Sequence, residues 1–106
     1  MKVNLPHDDD GDAIRRLEND GANLSRQMTV DFQLVVPTKA AAEKLEEYCA
    51  SLGYATRLND EGDQWLVECT IEMLVTYEEI VAKQADLAAA ARPFGGKVDG
   101  WGSCGN

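Results

Sequence analysis

The sequence predicts an α+β domain whose elements run helix, then β-α-β-β-α-β, and three patterns point to it. Residues 28–37, MTVDFQLVVP, alternate Met28, Val30, Phe32, Leu34 and Val36 with Thr29, Asp31, Gln33 and Val35, the period of two expected of a half-buried strand. Residues 65–73 repeat that alternation, with Trp65, Val67, Cys69, Ile71 and Met73 against Leu66, Glu68, Thr70 and Glu72. After each strand the period changes to that of a helix, behind Thr38 in one case and the capping box Thr76-Tyr-Glu-Glu79 in the other.

The remaining elements follow in order. Asp8 to Asn19 reads as a short leading helix, its aspartates at the positive end of the dipole, Ile14 and Leu17 as a narrow apolar stripe, and Gly21 placed to stop it. Residues 20–27 are a polar linker. The helix after Thr38 sets Ala41, Leu45, Tyr48, Cys49 and Leu52 on one face, with Glu43, Lys44, Glu46 and Glu47 on the other, and Gly53 closes it. Tyr54 to Leu58 is a short strand, and residues 59–63, NDEGD, form a hairpin loop around Gly62. The helix after Thr76 lines up Ile80, Val81, Gln84, Leu87, Ala88 and Ala91. Pro93 and Gly95-Gly96 end it before a last strand, Lys97 to Asp99, and a loose tail over 103–106.

Two β-α-β halves joined by a central hairpin form the split βαβ, or ferredoxin-like, plan, here a four-stranded antiparallel sheet with an extra N-terminal helix. The first and third strands are then central, the last strand lies at the edge beside the first, and both crossover helices cover one sheet face. The other face presents Thr29, Asp31, Gln33, Glu68, Thr70 and Glu72, with Val35 and Leu66 as apolar spots and the leading helix available to shield part of it.

A chain of 106 residues, 44% of them hydrophobic, fits one domain spanning 1–106. No apolar run approaches the roughly 20 residues of a membrane span, and the acidic start lacks a signal peptide's apolar stretch, so a cytoplasmic protein is expected. Cys49, Cys69 and Cys104 form neither a CxxC pair nor a disulfide framework. The first two read as small core hydrophobes and the third as an exposed thiol.

Nineteen Asp and Glu against ten Lys and Arg give a net charge of −9. Binding to nucleic acid or to an anionic membrane needs a basic face, so both are disfavoured, and electrostatic steering to a basic protein is favoured. No catalytic constellation can be assembled. His7 is the single histidine and stands alone, and the carboxylate pairs Glu46-Glu47 and Glu78-Glu79 fall on solvent faces. DDDGD fails as a calcium loop: with Gly11 as the turn glycine, Pro6 takes the first ligand position and Leu17 the last. Phosphate-binding and dinucleotide glycine motifs are missing too, so neither metal nor cofactor is expected.

Three stretches, DGDAIRRLENDGANLS (10–25), VDFQLVVP running through an Ala- and Glu-rich helix to LGY (30–54), and the terminal VDGWG (98–102), resemble the bacterial regulators of ribonuclease E activity, the B-type inhibitor family. The resemblance covers nearly the whole chain in element order. It implies a ferredoxin-like domain without catalysis of its own that binds ribonuclease E, is linked to its arginine-rich scaffold region, and reduces its cleavage of RNA.

The leading expectation is therefore a non-catalytic regulator that binds a ribonuclease E-like enzyme, or another basic protein, through an acidic surface. Asp31, Glu68 and Glu72 on the open sheet face, with Asp99 and Trp101 near the tail, are the expected contact residues. The alternative is a small self-associating or ligand-binding module, with a homodimer formed through the open face. Trp101, between two glycines, has two readings: a clasp that folds the tail back onto the domain, or a contact for the partner.

Overall fold

The computed structural model describes residues 8–106, so His7 lies outside the described residues. The elements are α1 (Asp9–Asn19), β1 (Met28–Val36), α2 (Lys39–Ser51), β2 (Ala55–Asp60), β3 (Trp65–Met73), α3 (Tyr77–Ala91), a 3₁₀ turn (Arg92–Phe94) and β4 (Lys97–Gly102). They build one antiparallel sheet in the order β2-β3-β1-β4. The α+β class, the central pair and the edge position of β4 are as the sequence predicts.

Alternation sets the sheet's two sides. β1 and β3 pair without slip from Met28 opposite Met73 to Val36 opposite Trp65. Residues directly opposite each other share a face, so Val30, Phe32, Leu34, Val67 and Cys69 all enter the core and each is 0% exposed. Ile80 and Leu87 of α3 and Leu45 and Cys49 of α2 meet them there. The thiol of Cys69 is pushed above its ordinary range by its hydrogen bond with Cys49 and by burial, which favours the protonated form.

The helices begin where the sequence places their caps. Thr38 accepts from the Ala41 N–H at 3.1 Å, Thr76 from the Glu79 N–H at 3.1 Å, and Asp8 from the Gly11 N–H at 2.8 Å. Their faces differ in part from expectation. On α2 the buried residues are Ala42, Leu45 and Cys49, while Tyr48 and Leu52 are each 48% exposed, and on α3 Val81 is exposed. The cause is geometric. A helix resting on a sheet buries only a narrow stripe, and Tyr48, Leu52 and Val81 lie at the margin of that stripe.

Two further expectations are corrected. α1 does not shield the open sheet face: Ile14, 1% exposed, joins the same core as Phe32, and α1 packs beside α3 in the helix layer. The last strand does not stop at Asp99. It runs on to Gly102, with Gln33 opposite Gly100 but Leu34 opposite Val98, so Asp99 is an extra residue in a bulge. Backbone pairing with β1 extends the strand through glycines that local propensity would exclude. The expected loose tail carries hydrogen bonds. The Ser103 hydroxyl donates to the Thr29 carbonyl at 2.7 Å, and the Asn106 side chain both accepts from the Asn23 N–H and donates to its carbonyl, each at 2.9 Å.

Among the described glycines, Gly96 has the least room for a side chain. A Cβ there would lie 2.5 Å from Val36 Cγ1 and 2.8 Å from the Val35 carbonyl oxygen, whereas at Gly100 the nearest atom would be Gln33 Oε1 at 3.5 Å. Gly96→Ala is therefore expected to lower unfolding free energy by about 1–3 kcal/mol through overpacking. Gly100→Ala should be nearly neutral, and urea unfolding of the two variants checks the contrast.

Candidate partner-binding site

The open sheet face collects three of the five expected contact residues. Asp31, Glu68 and Glu72 alternate with core residues on the two central strands, so all three project from the side that no helix covers. Asp31 is half-buried and accepts a hydrogen bond from the Thr70 hydroxyl at 2.6 Å, directly across the strand pair. Glu68 lies opposite Arg57 of β2 and pairs with it at 3.0 Å, their side chains 21% and 71% exposed. Glu72 stands exposed at the end of the face, opposite Thr29.

The expected apolar spot Val35 is only 3% exposed and sits between Leu66 on β3 and Lys97 on β4. Lys97 and Arg57 offset two of the three acids, so this face is polar and nearly balanced in charge. Sequence reasoning missed both cations, because the registers of β2 and β4 that bring them there are not readable from local pattern.

Asp99 and Trp101 lie elsewhere. The bulge at Asp99 restores Trp101 to the helix side, opposite Phe32, where it is half-buried against the core. Its indole N–H donates to Asp10 Oδ1 at 2.9 Å. Asp99 is exposed beside it, in a shallow cleft with Asp9, Asp10, Arg16 and Gln84. Trp101 thus joins β4 to α1 as a clasp does. The signal for its acceptor was present in the run of aspartates at 8–10, but only the fold decides which of them the indole reaches.

A second polar contact holds α1 at its start. The Tyr77 hydroxyl donates to Asp8 Oδ2 at 2.5 Å. This bond, followed by that from the Gly11 N–H, holds the Asp8 carboxyl below its ordinary value, and the same bond raises the Tyr77 phenol. Among the described residues, no group of three or more His, Cys, Asp or Glu is placed to hold a metal ion, and no helix is long and apolar enough to cross a membrane.

Two predictions concern the attachment of α1. Trp101→Ala should cost about 2–4 kcal/mol, and Trp101→Phe, which keeps the ring packing but loses the bond to Asp10, about 1 kcal/mol; urea unfolding measures both. The second concerns pH. A lowered carboxyl pKa contributes stability above its unfolded-chain value and loses it as pH falls through the folded value. A raised phenol pKa loses its contribution as pH rises from the ordinary tyrosine value through the folded one. The gap in urea midpoint between wild type and Tyr77→Phe should therefore be widest near neutrality and close toward acid pH.

Compared with known proteins, the chain matches the family described as regulator of ribonuclease activity B over residues 7–103, nearly its whole length. No curated protein matches it. The order of elements, the strand that enters α2 and the Trp101 clasp fall within the matched span, and the chain belongs to the regulator of ribonuclease activity B family.

Proposed function

We propose that this protein is a non-catalytic regulator that binds an endonuclease of the ribonuclease E type, in the cytoplasm, and lowers its cleavage of RNA without touching the RNA itself. Family membership over residues 7–103 carries the reading, since that family regulates ribonuclease activity. The net charge of −9 supports a basic protein partner over nucleic acid.

The contact is assigned to the uncovered sheet face, through Asp31, Glu68 and Glu72, continuing around the β4 edge to Asp99 and the exposed part of Trp101. β4 is the element that joins the two groups. Gly100 and Gly102 pair with Gln33 and Asp31 of the open face, while Asp99 and Trp101 border α1. A partner that straddles this edge meets all five residues.

Exposed charge pairs are worth about 0–1 kcal/mol each, so several act together and salt weakens them. The triple variant Asp31→Asn, Glu68→Gln, Glu72→Gln should bind purified ribonuclease E about tenfold more weakly than wild type at low salt, and the difference should shrink as salt is raised. Failure of the wild-type chain to retain the ribonuclease at low salt overturns the reading.

A further inference from the structure

An open groove runs between α2 and α3, on the layer opposite the sheet face discussed above. It has a volume of about 620 Å³ and is walled by Tyr48 and Leu52 on one side and by Lys83, Asp86 and Phe94 on the other. Ile71 and Leu87 contribute to its lining, and Ala89 and Ala90 narrow it with small side chains only. Tyr48 and Leu52, one helical turn apart, are the two most exposed large apolar side chains among the described residues, each 48%. Single exposed hydrophobics are ordinary on protein surfaces, but a pair lining one groove with two aromatic neighbours, Tyr54 and Phe94, forms a contact surface.

We propose that this groove seats an amphipathic helical segment of a partner protein, apolar along one stripe and carrying Lys or Arg beside it. Shape argues for a helix. Tyr48 and Leu52 form an i, i+4 ridge, and the small Ala89 and Ala90 on the facing helix leave room for a third helix to lay its own ridge between them.

Charge selects among helices. Lys83 and Asp86 are the charged residues of its lining, one of each sign, so its rim does not choose a sign. The molecule as a whole does, with a net charge of −9. A second copy would bring a like charge, and an acidic helix would be repelled, while a basic one is drawn in and finds Asp86 at the lip. Among the described residues, Asp86 has no ion pair, the two salt bridges there being Arg15–Asp12 and Arg57–Glu68.

The test has two arms. In the first, the ¹⁵N-labelled full chain is titrated with a synthetic four-turn amphipathic helix of Leu and Lys, and with its Leu and Glu counterpart. Saturable shifts centred on the amides of Tyr48, Leu52, Lys83, Asp86 and Phe94 are expected for the basic peptide alone. The double variant Tyr48→Ser, Leu52→Ser, verified as folded by circular dichroism, should bind it about tenfold more weakly. Shifts centred on α1 or the open sheet face, equal binding of the acidic peptide, or unchanged binding by the double variant overturns the proposal.

The second arm rests on the ribonuclease reading and uses full-length ribonuclease E. A similar loss in the double variant is expected, with Leu74→Ser, an exposed apolar position outside both the groove and the sheet face, binding as wild type. Wild-type affinity in the double variant overturns the groove and leaves the regulator reading in place. Absence of binding by the wild-type chain overturns the regulator reading instead, and the peptide arm then decides the groove.

Discussion

Everything in this domain hangs on the register of β1 between β3 and β4. Among the described residues β1 alone is flanked on both sides by strands that arrive from distant parts of the chain, and its alternation decides which side of the sheet every neighbour faces. A slip of one residue would turn Val30, Phe32 and Leu34 toward water and Asp31 and Gln33 into the core. Burying Asp31 without its Thr70 donor would cost a charged group its solvation, so the polar face resists the slip as firmly as the apolar face does. The bulge at Asp99 belongs to the same constraint. It shifts β4 by one residue midway, which lets Val98 and Trp101 both face the helix layer, the latter opposite Phe32.

The bulge and two further contacts tie α1 to separate parts of the chain. Trp101 reaches Asp10 in α1, Asp8 reaches Tyr77 in α3, and Ile14 fills the space between. α1 alone would be marginal, being eleven residues long with one narrow apolar stripe. Its place depends on side chains supplied by the far end of the chain. The acidic entry helix and the terminal Asp-Gly-Trp-Gly of this chain are thus one structural unit, with Asp10 at one end accepting from Trp101 at the other.

How much of this was legible in the sequence depends on the range of the interaction concerned. The two long strands and the Thr38 and Thr76 caps are local patterns, and they are where the alternation and the cap residues place them. The position of α1 was not legible, because an amphipathic helix carries no mark saying which layer it joins. The extent of β4 was hidden by its glycines, whose weak strand preference is overridden by pairing with β1. Tyr48 and Leu52 share the predicted apolar face yet stay half exposed, because helical spacing identifies a face but not how much of it the sheet can cover. At the candidate site, Asp31, Glu68 and Glu72 share a face by parity alone, whereas Arg57 opposite Glu68 and Lys97 beside Val35 depend on neighbour registers that no local pattern reveals.

Those two cations change what the acidity of the molecule means. On the open face the acids are partly answered: Arg57 pairs with Glu68, Thr70 holds Asp31, and Lys97 lies at the β4 side. The excess of negative charge collects instead on the first turn of α1, with Asp9, Asp10 and Asp12, and at the β2–β3 turn, with Asp60 at the end of β2 and Glu61 and Asp63 in the loop. In the proposed complexes a net charge of −9 spread in this way acts at a distance on which partners approach, and the sheet face and the α2–α3 groove are the surfaces assigned to the short-range fit. Long-range steering falls with salt over about 10 Å, and apolar burial does not. A regulator built on this plan has an association rate that follows ionic strength and a dissociation rate that follows its apolar contacts, and the two can be altered independently because they reside on different residues.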